Sequence, residues 1–448
     1  MQPTPNSPTL QRALQRTRRR LIPLLILMYL LGYLDRANIA YAKQAFQQTT
    51  GVTEAAFAFS AGLFFVGYAL FELPSNLLLQ KVGARIWLSR IMVTWGILAA
   101  GIAFATSNTS FSTVRVLLGI AEAGFFPGVL VYLGQWFPAR ERARIIGLFY
   151  LSQPICFIVG GPLSGGLLEL DGLFGLHGWQ LMFLCEGLAA SLVGLFAFFY
   201  LTDKPASASW LPADEKAALV ATLAQEEATK IAAGHMRLGK ALRDPMLLQF
   251  GLIYFSIAIC GYGVAFYLPS IVGSLLGQHI GFKVSLVTAI PWLCALAACT
   301  FWPGLAAKTG RRRTFTVISL LCAGFGMVAS GYLPPILALG ALCVSVAGVI
   351  SAQPIFWTFP SSYYGGYAAA GGIAIVNAIG NLGGFAAPTF KVTAEAHAGT
   401  PLAGLWVMGA GAVLAAVIVA LIPRRADALT SRDTPSARDH EAAGFPVV

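Results

Sequence analysis

Charge is scarce in this sequence of 448 residues. Asp, Glu, Lys and Arg together make up 11% of it, against 57% hydrophobic residues and a mean hydropathy of +0.71. A soluble protein of this length carries roughly 25% charged residues, so a water-soluble enzyme or scaffold is excluded at the outset. The residues of metal and thiol chemistry are equally thin. Seven cysteines (156, 185, 260, 294, 299, 322, 343) include no C-x-x-C pair and all fall in apolar blocks, where cysteine is usually a small apolar filler. The five histidines lie outside those blocks, which leaves no histidine relay through a membrane. There is no G-x-x-x-x-G-K-[S/T] phosphate loop to drive an ATP pump. No nucleophile–base or metal cluster of the kind a membrane-embedded enzyme needs is present either. The net charge of +11 resides in a few connecting segments, not in a patch, so no nucleic-acid partner is expected. Neither is a cofactor or a metal.

What fills the sequence is apolar blocks of roughly 20 residues, the length a helix needs to cross a hydrocarbon core of ~30 Å. Backbone groups in lipid must be paired within their own segment, so blocks of this length are helices. Twelve spans are expected, near 21–42, 57–79, 86–106, 111–132, 144–168, 180–202, 246–272, 284–307, 314–333, 335–358, 364–390 and 402–422. Basic residues sort strongly by side. Of 30 Lys and Arg, only Lys43, Lys283 and Lys391 fall in one set of connections, Arg36 and Arg115 lie within spans, and 25 fall in the other set or in the span ends that border it. The rest mark the cytoplasmic side, which puts both termini inside and the protein in the inner (plasma) membrane as a multi-pass chain.

One long hydrophilic connection divides the spans six to six. The expected organisation is a basic tail (1–20), a six-helix bundle (21–202), a cytoplasmic loop carrying a surface helix (203–245), a second bundle (246–423) and a polar, disordered tail (424–448). An internal repeat supports the division. Lys81-Val-Gly83-Ala84-Arg85 follows the second span, and Lys308-Thr-Gly310-Arg311 follows the eighth. Repeated halves are a recurring plan in secondary transporters, with substrate held between them at mid-membrane.

Charged side chains inside spans cost roughly 2.5–3.5 kcal/mol each on insertion scales and therefore need a reason. The candidates are Asp35, Arg36, Glu72, Arg115, Glu122 and Glu186. Asp35 and Arg36 lie about 14 residues into the first span, roughly 21 Å along it. As helix neighbours they point about 100° apart, so neither simply neutralises the other. Arg36 offers a planar donor fork that fits a carboxylate or phosphate, and Asp35 can take and release a proton. Arg115 and Glu122 are seven apart and share one helix face, with Glu122 nearer the midplane. A carboxyl at that depth resists ionisation, because desolvation disfavours the charged form; that property suits a proton carrier. The alternative for all four is a static ion pair with another helix. Glu72, Glu186 and Arg115 are read as structural or gating charges. Tyr68 and Gln153 are polar residues in mid-span, and Asn377 and Asn381 stand one turn apart in a glycine-rich run. Aromatics such as Tyr262 and Trp357 are expected to pack.

Taken in order, several motifs resemble the major facilitator superfamily, and within it the anion:cation symporter family in its bacterial organic-acid branch. They are Tyr33-Leu-Asp35-Arg36-Ala-Asn38, Gly67-Tyr68-Ala-Leu-Phe-Glu72-Leu-Pro74, Glu122-Ala-Gly-Phe-Phe-Pro127-Gly128, Trp136-Phe-Pro138 with Glu141-Arg142-Ala143, Gly161-Pro-Leu-Ser164-Gly165, Cys185-Glu186-Gly187, Phe359-Pro-Ser-Ser362 and Gly380-Asn381-Leu-Gly-Gly384. The resemblance implies an all-α membrane protein of two pseudo-symmetric six-helix bundles rocking about a central cavity. It makes Asp35 and Glu122 the proton-coupling carboxyls, Arg36 the contact to the substrate carboxylate, and Tyr68, Gln153 and Asn377 further substrate-binding positions. Three positions depart from the pattern: Gln80 and Ala307 where an acid is usual, and Tyr367 where a basic residue is expected. The expected activity is proton-coupled symport of a small organic anion, such as a sugar acid, tartrate or an aromatic acid. The expected partners are that anion, protons and the bilayer, with the chain a monomer. An organophosphate exchanger on the same fold would want a basic residue in each half, and the interiors of the last six spans have none. A non-transporting receptor is the remaining alternative.

Overall fold

The computed structural model describes residues 7–138, 141, 145, 148–232, 244–363 and 367–422, and no strand occurs among them. The tail 424–448, Arg142 and Ala143 of the fourth motif group, and the side chain of Tyr367 lie outside what is described. The first half contributes α1 (Pro8–Thr50), α2 (Glu54–Val82), α3 (Ala84–Gly101), α4 (Asn108–Glu122), α5 (Phe125–Trp136), α6 (Ser152–Leu168) and α7 (Gly178–Tyr200). The connection carries α8 (Ala213–Ala232). The second half contributes α9 (Pro245–Leu276), α10 (Phe282–Thr309), α11 (Arg312–Ser330), α12 (Pro335–Phe356), α13 (Thr358–Tyr363), α14 (Tyr367–Ala398) and α15 (Leu402–Ala420). Eleven helical segments among the described residues are long and apolar enough to cross a bilayer. The remaining expected span coincides with the 32-residue α14.

Local chemistry sets where the helices begin and end. Ser7 caps α1 through Leu10 N–H with Pro8 in the first turn, and Gly51 closes the helix with φ 72°. Residues 8–20, expected as a tail, thus extend the first span as one continuous helix. Arg16 in this extension reaches Glu215 of α8 at 3.0 Å, so pairing with α8 stabilises what composition alone reads as solvated charge. The repeated Lys-x-Gly motif is a helix stop in both halves. Lys81 and Lys308 sit in the last turns of α2 and α10, and Gly83 (φ 98°) and Gly310 (φ 67°) end them in a conformation that glycine adopts without penalty. Near Gln80, Asp203 accepts the Arg85 backbone N–H at 2.8 Å, tying the α2–α3 connection to the end of α7. Beyond α6, Asp171 accepts Gly178 N–H at 2.8 Å, and that bond, helped by His177, holds its carboxyl below the usual range.

Helix pairing repeats between the halves. In the first, α1 packs on α6, α2 on α4 and α3 on α7; in the second, α9 packs on α14, α10 on α12 and α11 on α15. Small residues allow this closeness, as expected where lipid offers helices no hydrophobic drive to associate. A Cβ on Gly119, for instance, would collide with the Phe64 carbonyl across the α2–α4 contact. Across the divide α1 meets α9, α2 meets α14 and α6 meets α10, the last through Phe157 stacked on Trp292 with centroids 3.8 Å apart.

The fourth span is not one helix. It breaks at Ala123 and at Gly124, which takes φ 83° and therefore favours glycine. Glu122 is consequently the last residue of α4, not a mid-helix side chain.

Candidate functional site

Two small adjoining cavities, of about 30 Å³ each, lie where α1, α2, α4, α6, α9, α12 and α14 converge. Arg36 borders both. The helix break at Gly124 directs Glu122 toward α1, and its Oε1 takes the guanidinium at 2.8 Å from Nε and 2.5 Å from Nη2. Glu122 is buried and Arg36 largely so, at 3% and 14% exposure, where a charge-assisted pair is strong and either charge alone is costly. The rings of Tyr33, Phe64 and Tyr68 flank the guanidinium at 5.8, 5.3 and 5.1 Å, close enough for attraction to their faces. Its Nη1 donates to Tyr262 Oη of the second half at 3.3 Å, and Tyr262 in turn donates to Asn381 Oδ1 at 3.2 Å. A chain of polar contacts therefore runs from a carboxylate of one half, through one arginine, to an amide of the other.

The other expected residues divide into two groups. Tyr68, Gln153 and Asn377 all line the cavities. Asn377 already has a partner: its Nδ2 donates to Glu72 Oε1 at 2.8 Å, a second bridge between the halves. Asp35 turns away into the first half, where Oδ1 accepts from Asn38 at 3.4 Å and Oδ2 has no partner. Arg115 is wholly buried, its Nη2 donating to the Ala61 carbonyl at 3.2 Å while Nε and Nη1 have no hydrogen-bond partner. Its guanidinium stands 4.8 Å over Phe64. Glu186 accepts from Ser164 Oγ at 2.7 Å, remote from Arg36.

Several lining residues escaped the sequence. Tyr262 was expected to pack, yet its hydroxyl joins the halves, and Tyr254 and Gln353 border both cavities. A phenol in mid-span is the signal that could have marked Tyr262. At the end opposite the termini the halves are fastened together. Gln44 bonds His279 at 2.9 Å, Phe282 N–H donates to Glu169 at 2.8 Å, and Lys43 and Lys391 stand 4.8 and 4.2 Å from the ring of Tyr267.

Comparison with known proteins agrees with this architecture. The sequence pattern described as Major Facilitator Superfamily matches residues 25–388. The chain is 45% identical over 410 residues to "Inner membrane transport protein RhmT" of Escherichia coli (strain K12), covering 92% of this chain and 95% of that protein. It is 39% identical over 424 residues to a "Putative tartrate transporter" of Agrobacterium vitis, covering 94% and 97%. Among solved structures, that of a D-xylose-proton symporter superposes with a TM-score of 0.67 at 18% identity, covering 89% of this chain and 96% of that one. At that identity the likeness is one of fold.

Proposed function

The chain belongs to the Major Facilitator Superfamily, and on that basis we propose that it is a proton-coupled symporter that carries a small organic anion into the cell. It is a multi-pass membrane transporter and not an enzyme. The observation that carries the symport reading is Arg36, among the described residues the one guanidinium bordering the cavities, held by the Glu122 carboxylate. A substrate carboxylate entering from outside competes with Glu122 for the same donor fork. It wins when Glu122 is protonated, because the neutral acid no longer attracts the guanidinium. Anion and proton then occupy the site together without adding net charge, which makes passage of the loaded carrier cheap. On the inner side Glu122 loses its proton, reclaims Arg36 and displaces the anion. Tyr68, Gln153 and Asn377 shape the cavity around the substrate, and Asp35 supplies a second proton-binding carboxyl beside Arg115.

Residues 21–202 and 246–423 act as the two rocking bundles, with both termini in the cytoplasm of an inner-membrane monomer. The tartrate relative supports a hydroxy acid as substrate class. The absence of Lys and Arg from the interiors of the last six spans weighs against an organophosphate exchanger, because a doubly charged phosphate favours opposed basic residues.

Reconstitution in liposomes loaded with a pH dye tests the reading. Adding tartrate, gluconate or an aromatic acid outside should acidify the interior only when the protein is present. Substrate entry without proton movement would replace symport by sodium coupling or exchange, and binding without entry would favour a receptor.

A further inference from the structure

The first half holds a second polar cluster, set apart from the cavities. Asp35 and Asn38 stand one turn apart on α1 and share a hydrogen bond. The Asn38 carboxamide also stands beside Glu186 of α7, whose Oε1 accepts from Ser164 Oγ of α6. All four are buried: Asn38 and Ser164 at 0% exposure, Asp35 at 3% and Glu186 at 6%. Among the described residues no cation pairs with either acid. Even so, Asp35 Oδ2, Asn38 Oδ1, Glu186 Oε2 and Tyr41 Oη all lack a hydrogen-bond partner, as does the Trp95 indole N–H that faces Asp35. Buried acceptors of this kind are satisfied by water or by a proton.

Depth orders the cluster. Trp179 Nε1 donates to Thr49 Oγ1 at 3.0 Å, which sets the start of α7 level with the far end of α1. Counting down from that level, Glu186 is seven residues below, Asn38 eleven and Asp35 fourteen, or roughly 10, 16 and 21 Å at 1.5 Å per residue. The acids thus form a descending series from the end opposite the termini toward the level of Arg36. Groups facing the series are Tyr41 and Cys156 near Glu186, and Arg115 and Glu122 near Asp35. The Arg115 guanidinium opposes a metal cation beside Asp35 and leaves a proton as the fitting occupant.

We propose that Glu186 is a proton-carrying residue that loads Asp35 from the outer side, by a route separate from the substrate cavity. A proton from outside water binds Glu186 Oε2 and passes, through a water held by Asn38, to Asp35 Oδ2, and Glu186 returns to the carboxylate. The inference rests on the symport reading above and deepens it.

The test uses the full chain in proteoliposomes, with radiolabelled tartrate or gluconate and two readouts for each variant. One is exchange at equal pH on both sides, which needs binding and rocking but no net proton transfer; the other is uptake driven by an inward pH gradient. Glu186→Gln should leave exchange unchanged and lower gradient-driven uptake on the order of 10²-fold, the scale of a lost proton-transfer group. Glu186→Asp should restore uptake. Wild-type uptake in Glu186→Gln overturns the proposal. Loss of exchange together with uptake, not rescued by Glu186→Asp, assigns Glu186 a structural role and overturns it as well. A wild type that moves no proton with either acid overturns the symport reading itself, which separates the two failures.

Discussion

In the first half the membrane interior carries Asp35, Arg36, Glu72, Arg115, Glu122 and Glu186, all but Arg36 classed as buried. In the second half, among the described residues, the polar positions lining the cavities are Tyr254, Tyr262, Gln353, Asn377 and Asn381, which are phenols and amides. Helix pairing is the same in both halves, so packing does not require the difference. One half carries the charge and the other meets it with neutral groups. Both bridges described at mid-membrane join a charged group of the first half to a neutral one of the second: Arg36 to Tyr262 and Glu72 to Asn377. A hydrogen bond of this kind contributes about 0.5–3 kcal/mol, little enough to break and remake in each cycle. A buried ion pair across the divide would cost several kcal/mol to separate and would hold the halves in one position.

The division of labour is broken most severely by removing the charge. Arg36→Ala leaves Glu122 buried without its partner, a loss of about 3–5 kcal/mol, and uptake and calorimetric anion binding should both vanish. Arg36→Lys keeps the charge without the planar fork and should recover only part of the binding.

Putting a charge into the neutral half comes next. Asn381→Asp sets a carboxylate against Tyr262, and through it against Arg36, where it competes with substrate. Anion binding measured by calorimetry should weaken by about 1.5–3 kcal/mol, the scale of a hydrogen bond to a charged group. Unchanged affinity would show that the second half need not be neutral.

The pH dependence sharpens the same contrast. Rising pH ionises Glu122, which reclaims Arg36, so wild-type anion affinity should fall with pH by at most about tenfold per unit for one proton. Glu122→Gln cannot reclaim the arginine, and its binding should be flat with pH while pH-driven uptake is lost. The mildest change is Tyr262→Phe. It removes one hydrogen bond of about 0.5–1.5 kcal/mol, and initial uptake rates should drop only a few-fold.

The spans were legible because bilayer thickness fixes their length and lipid forbids unpaired backbone. The charged candidates were legible because each is expensive where it lies. Their partners were not, because sequence position gives depth along a helix but not the direction a side chain takes across the bundle. Arg36 and Glu122 are 86 positions apart and Arg36 and Tyr262 are 226, so no local spacing links them. Asn377 was visible as a polar residue facing a cavity, but not as the partner of Glu72. The interruption after Glu122 was hidden in a run that reads as continuous apolar span. The helical state of residues 8–20 was hidden because arginines suit a tail and a helix equally well; contacts such as that of Arg16 with Glu215 decide between them.

The length of α1 turns that last feature into an instrument. A continuous helix of 43 residues makes a rod of roughly 64 Å, about twice the ~30 Å hydrocarbon thickness. Pivoted near mid-membrane, it swings each end by about half an ångström per degree of tilt. With the rocking proposed above, its near end, fastened to α8, would act as a pointer that magnifies what happens around Arg36. A spin label at the exposed Gln15, paired with one at Leu248 on α9, would read the angle between the halves as a distance, without a probe in the substrate cavity.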